Sequence, residues 1–165
     1  MLTALPPLVS SSTRLLILGS FPGVASLQAQ QYYGHPQNHF WHILDAIWPS
    51  SSIKTGVISY QQRSEWLLVK GLGVWDVYAA CEREGSLDSS IRNAVLNDFS
   101  NLKQTCPHLE AIAHNGGESF KHSKHTAMTG LPVYKLPSTS PANASWSFER
   151  KLAAWREVFE KHGLT

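Results

Sequence analysis

Four short stretches of the chain gather side chains able to hold a flat polar ligand and the phosphates beside it. Gly19-Ser20-Phe21-Pro22-Gly23 sets two glycines around a proline, a tight turn whose exposed N–H groups can approach a phosphate or sugar closely. Tyr32-Tyr33-Gly34-His35-Pro36-Gln37-Asn38-His39-Phe40-Trp41 places aromatic rings beside an amide, a combination suited to a heterocycle. Asn38 is equally placed to cap the helix that follows, and Phe40 and Trp41 equally suit a core. Ala113-His114-Asn115-Gly116-Gly117 offers a second amide in a turn. Leu136-Pro137-Ser138-Thr139-Ser140-Pro141-Ala142-Asn143 holds hydroxyls between prolines, where side chains and backbone N–H groups can bind phosphate.

Three of these stretches begin where a short apolar run ends, and Tyr32–Trp41 follows the first of those runs. Arg14–Gly19, Gly73–Tyr78, Leu109–Ala113 and Val133–Leu136 read as strands. Helical spacing follows Asn38, in Phe40, Trp41, Leu44, Ile47 and Trp48. Asp88 is placed to cap a second helix carrying Ile91, Val95, Phe99 and Leu102. Phe148, Leu152, Trp155 and Phe159 form the apolar stripe of a C-terminal helix. Strands alternating with helices predict an α/β fold with a mainly parallel sheet covered on both faces. Ligands of such sheets bind outside the carboxyl ends of the strands, where all four stretches would gather.

Composition sets the outer bounds. The chain has 165 residues, 42% of them apolar and 16% charged, which excludes a disordered tail, a coiled coil and a collagen-like repeat. Net charge is only +2, less than a strongly basic nucleic-acid binder shows. Six Trp, five Tyr and six Phe are many rings for this length, and some of them suit a ligand surface. Cys81 and Cys106 lack metal-type spacing, as expected of a reducing compartment. No 18-residue apolar run and no signal-peptide pattern occurs, so a cytoplasmic protein without a membrane span is expected. His35, His39 and His42 share helical spacing, but no cysteine joins them and no HExxH occurs, so no metal is expected. The basic run His114, Lys121, His122, Lys124 and His125 suits a solvated helix face or, because it follows the Asn115 loop, a phosphate contact. One domain over residues 1–165 is expected, with residues 1–13 loosely ordered.

GSFPGVASLQAQQYYGHPQNHFW and LPSTSPANASWSFERKLAAWR resemble the two signature segments of the uracil-DNA glycosylase superfamily. GVWDVYAACEREGSLDSSIRN and AHNGG resemble its hypoxanthine (deoxyinosine) DNA glycosylase branch, and the match covers most of residues 14–160. The resemblance implies a three-layer αβα domain around a four-stranded, mainly parallel sheet, with a DNA groove along the strand ends. It implies a monomer that needs no cofactor and that flips a deaminated base out of DNA.

The resemblance also distributes roles. Most branches carry a water-positioning Asp or Asn where this chain has Phe21, which can do neither job. Asn38 looks like the catalytic replacement. Asp76 sits where the second strand offers a base-reading group, with Asn115 as a second amide and Phe21, Tyr33 and Phe40 as rings against the base. Gly19, Ser20, Pro22 and Gly23, with Ser138, Thr139 and Ser140, would grip the DNA backbone. Pro141, Ala142 and Asn143 would fill the vacated stack. No lysine falls among these residues, so direct hydrolysis is favoured over a Schiff base. Two other readings stay open: the same fold acting mainly on uracil or on G:U and G:T mismatches, and a non-catalytic module binding DNA or nucleotides.

Overall fold

Leu15, Leu16, Ile17 and Leu18 are all fully buried, because both faces of the strand they form are covered. The computed structural model describes residues 1–54 and 56–165. Their order is β1 (Leu2–Thr3), β2 (Leu15–Gly19), α1 (Val24–Ala29), α2 (Phe40–Ile47), α3 (Tyr60–Val69), β3 (Leu72–Asp76), β4 (Tyr78–Glu82), β5 (Arg92–Leu96), α4 (Leu102–Thr105), β6 (Ala111–Asn115), α5 (Gly117–Phe120), α6 (Ser123–Ala127), β7 (Val133–Leu136) and α7 (Phe148–Lys161). Four of these strands make a wholly parallel sheet in the order β3-β2-β6-β7. The fold is the expected α/β class.

Alternation along β2 divides the core in two. Leu15 and Ile17 face Phe40, Trp41, Leu67, Trp155 and Phe159 of α2, α3 and α7. Leu16 and Leu18 face Val77, Phe99, Leu102 and Ile112. Each such side chain, fully buried, contributes about 1.5–3 kcal/mol. Register then fixes the functional edge: Gly19 lies beside Asp76 and Asn115 beside Leu136, so the ends of four strands finish level. The order also reverses direction at β2, with β3 on one side and β6 on the other, which is where such sheets open a crevice.

Several expectations need correction. Residues 1–13 are tied down: β1 pairs antiparallel with β4, Leu8 bridges Val74, and Leu5 is buried. The run Gly73–Tyr78 is two strands. After Val77 and Tyr78 donate to the Gly19 and Ser20 carbonyls, the chain leaves the parallel sheet and enters a separate antiparallel one, β1-β4-β5. The helix expected after Asp88 is a 3-10 turn (Asp88–Ser90) followed by β5. Spacing of four fits a strand as well as a helix, because four is a multiple of the strand's period of two. The third strand runs Ala111–Asn115 and not Leu109–Ala113; Leu109 is buried in the turn before it. Helix α3 went unread although Ser59 and Gln62 form its capping box, since only Arg63 and Leu67 of its residues are buried. The polar stretch 49–56 includes a 3-10 turn at Pro49–Ser51 and a fully buried Ile53, and its Thr55 lies outside the described residues.

Candidate active site

A cleft of about 1030 Å³ opens at the carboxyl ends of the parallel strands. It brings together Gly19–Gly23, Tyr33, Asn38, Asp76, Asn115 and Ser138–Asn143, segments drawn from across the sequence. Phe40 is the expected site residue that does not line it. Its ring is 0% exposed, stacked behind Tyr33 at 4.1 Å and edge-on to Trp41 and Trp155. Phe40 therefore backs the pocket ring and is not one itself. Tyr32 lines the cleft but is 4% exposed, anchored in the core by its Oη donating to the Pro6 carbonyl at 2.6 Å.

Asn38 splits its amide between two tasks. Oδ1 accepts the Phe40 N–H at 2.9 Å, bracing the start of α2, although His39 occupies the formal cap position. Nδ2 makes no hydrogen bond among the described residues, and Asn38 is one of the residues that line the cleft. A spare donor in a preformed position is what developing negative charge on a ligand requires.

Asp76 lies at the cleft floor, 4% exposed, and its Oδ2 has no hydrogen-bond partner. Burial, reinforced by the Asp88 charge and opposed by Arg83, pushes its pKa up to about 7. Gly19 is what admits it: a Cβ there would sit 2.6 Å from Asp76 Oδ1 and 3.2 Å from Tyr33 Oη. Those two oxygens therefore converge over one glycine. Asp88 joins the same wall, accepting from Ser20 Oγ at 2.6 Å, and burial raises its carboxyl above the usual range. The loop bearing Asp88 is latched to the first turn at two further points. Ser86 Oγ accepts the Val24 N–H at 2.9 Å, and Arg83 Nη2 donates to the Pro22 carbonyl at 2.6 Å beneath the Phe21 ring.

Asn115 does not offer a free amide. Its Nδ2 donates to Tyr33 Oη at 3.1 Å and Thr139 Oγ1 at 3.0 Å, and its Oδ1 accepts the Thr139 N–H at 3.0 Å. It is a clamp on the last loop rather than a reader of a ligand edge. Thr139 is 1% exposed with its hydroxyl spent on that clamp, so its side chain is not a backbone-binding group either. Its carbonyl accepts the His39 N–H at 2.9 Å, joining the last loop to the Asn38 segment. Ser138 and Ser140 brace the loop by accepting the Ser140 and Ala142 N–H groups, leaving Pro141 and Ala142 exposed at its tip. Asn115→Ala should cost about 1–3 kcal/mol, since it strands the buried Thr139 N–H. Urea unfolding measures this, and an unchanged midpoint would remove the clamp.

The basic run behaves differently from expectation. His114 is fully buried, bonded to the Ser119 and Thr126 hydroxyls, and burial pushes its pKa down to about 4. Lys121 pairs with Glu118 and His122 bonds Tyr78, and none of the run lines the cleft. The cation that does line it is Lys135, one residue before the last motif, lying 5.7 Å from the Phe120 ring centroid. Lys135 and Asp88 are cleft residues outside the expected set; the alternation of β7 marks Lys135, whereas the helical spacing after Asp88 presents it only as a cap.

Comparison with known proteins gives three results. Residues 6–159 match the model of the uracil DNA glycosylase superfamily. Proteins named hypoxanthine DNA glycosylase from Methanosarcina barkeri and Methanosarcina acetivorans are 37% and 36% identical to the chain. The alignments span 94% and 93% of this chain, and 96% and 95% of the two relatives. A uracil DNA glycosylase candidate from Methanosarcina acetivorans, solved by solution NMR, superposes with a TM-score of 0.83 at 34% identity, covering 96% of both chains.

Proposed function

The chain belongs to the uracil DNA glycosylase superfamily, and we propose that it removes hypoxanthine from DNA by hydrolysing the bond between the purine and its deoxyribose. The observation that carries this reading is the free Nδ2 donor of Asn38, held at the mouth of a cleft whose floor is the Asp76 carboxyl. The names of its relatives support the same base.

Extrusion of the nucleotide costs a few kcal/mol, least for a mispaired base. Backbone N–H groups of the Gly19–Gly23 turn and the hydroxyls of Ser138 and Ser140 offset it by holding phosphates. As the glycosidic bond breaks, positive charge grows on the sugar and negative charge on the departing purine. Water adds to the sugar carbon, and the purine leaves with the bonding pair and takes a proton. The Asn38 donor strengthens its bond to the purine during that charge flow, which lowers the barrier rather than only tightening binding. Ionised Asp76 accepts the N1–H of hypoxanthine. Adenine has a lone pair at that position, so the same carboxylate repels it. Phe21 and Tyr33 supply faces for the ring, and Pro141–Asn143 enter the vacated stack. The protein works as a monomer in the cytoplasm, a setting consistent with Cys81 and Cys106 both being free.

Duplexes carrying one inosine, one uracil or neither, treated with the protein and then alkali, should break at inosine first. Faster breakage at uracil would favour the uracil reading, and none at either base would leave a binding module.

A further inference from the structure

A second cavity, of about 750 Å³, lies beside the cleft. Pro141, Asn143 and Trp146 line both spaces and so form the wall between them. Across from that wall stand His39, His42 and Ala46 of the α2 region, with Lys151 from the first turns of α7.

Lys151 is the anomaly. The residue is 1% exposed, yet among the described residues its ammonium has one hydrogen-bond partner, His39 Nδ1 at 3.2 Å. A charged Lys151 can only donate in that contact, which requires an unprotonated Nδ1, the neutral Nε2–H form of His39, and that form adds no counter-charge. Burial, with the Lys151 charge beside it, holds His39 below the ordinary histidine range. Among the described residues no carboxylate lies within ion-pair distance of Lys151; Asp45, in the same cavity, is paired with Lys54 at 3.5 Å. The start of α7 adds the positive end of a helix dipole. A buried cation without a counter-charge costs several kcal/mol, and a ligand anion would remove that cost.

We propose that this cavity is a phosphate subsite, in which Lys151, with His39 beside it, takes a backbone phosphodiester of the DNA strand held by the Ser138–Asn143 loop. The subsite rests on the DNA glycosylase reading, because its wall is the loop that reading lays against the DNA. Neither Lys151 nor His39 is among the residues given a role by the resemblance, and together they supply cationic charge that a net of +2 conceals.

The test compares Lys151→Met with the wild-type protein in the salt dependence of duplex binding. Loss of one phosphate contact should reduce the slope of log affinity against log salt by about 0.9. The free variant should be at least as stable as wild type, because a buried charge has become a buried thioether. An equal slope in the folded variant overturns the subsite, and equal slope with lowered stability makes Lys151 only a prop for His39. Ala46→Glu, on the α2 wall, provides a second route that keeps Lys151. Its carboxylate should take the phosphate's place and weaken low-salt binding about tenfold or more, and unchanged affinity overturns the proposal. If inorganic phosphate stabilises wild type but not Lys151→Met while both slopes agree, the anion is a free one and the DNA assignment falls. Hypoxanthine release by wild type is scored on the same duplex. Release with equal slopes defeats only the subsite, whereas a lowered slope without release defeats only the glycosylase reading.

Discussion

Asn38→Asp is expected to slow hypoxanthine release by roughly 100- to 1,000-fold, the loss typical of deleting one preorganised donor to developing negative charge. The substitution is nearly isosteric, and it keeps the oxygen that accepts the Phe40 N–H at 2.9 Å. The bracing of α2 should survive, and a thermal melt should show it. What changes is Nδ2: a donor facing the departing purine becomes a carboxylate oxygen, which repels the charge it should receive. Single-turnover release from an inosine duplex reads the effect directly. A folded Asn38→Asp protein that works at the wild-type rate would reduce Asn38 to a helix brace.

The second large effect concerns Asp76 and has opposite signs in stability and in activity. Its folded pKa, about 7, lies above the 3.8 of a free aspartate. Between those values the folded state holds a proton that the unfolded chain has released. Stability is therefore complete below about pH 4 and declines as pH rises to about 7, by a total on the order of 4 kcal/mol at 1.36 kcal/mol per pH unit. Asp76→Asn carries no such charge, so its stability relative to wild type should grow across that window and level off above it. Urea midpoints at pH 5, 6, 7 and 8 would display the trend; a constant difference would mean that Asp76 does not titrate there. Release should show the reverse. Ionised Asp76 accepts the purine N1–H, so activity should rise through the pH range near 7, and Asp76→Asn should lose both that rise and most discrimination against adenine.

Much of this arrangement is legible in the chain before any coordinates, for a physical reason. β2 and β6 are buried strands and β7 is a sheet-edge strand that buries Leu136, and their apolar runs stop where polar groups begin, so Gly19, Asn115 and Ser138 announce the end of the strands. The C-terminal helix shows its stripe because Trp155 and Phe159 pack on one face only. Side pairing is harder to see. The antiparallel sheet forms between Leu2–Thr3, Tyr78–Glu82 and Arg92–Leu96, segments whose partners are chosen by distant contacts rather than local pattern. Asn115 illustrates the limit within the site: its residue type and position pointed to a ligand, but whether an amide is free depends on Thr139 folding back on it, 24 residues later. Phe40 and Tyr33 look alike as aromatic residues, and only the stacking order decides which faces the cleft.

Thr139 accepts one hydrogen bond from His39 and exchanges two with Asn115, so the loop tip, β6 and the residue beside Asn38 share a single junction. A pull on the loop by a DNA strand therefore reaches the reacting amide through a few short, stiff links instead of a flexible tether. Grip and chemistry are geared together, and a strand seated out of place would leave Asn38 misaligned. On the proposed role of Asn38, a poorly seated duplex should lose rate even where it still binds.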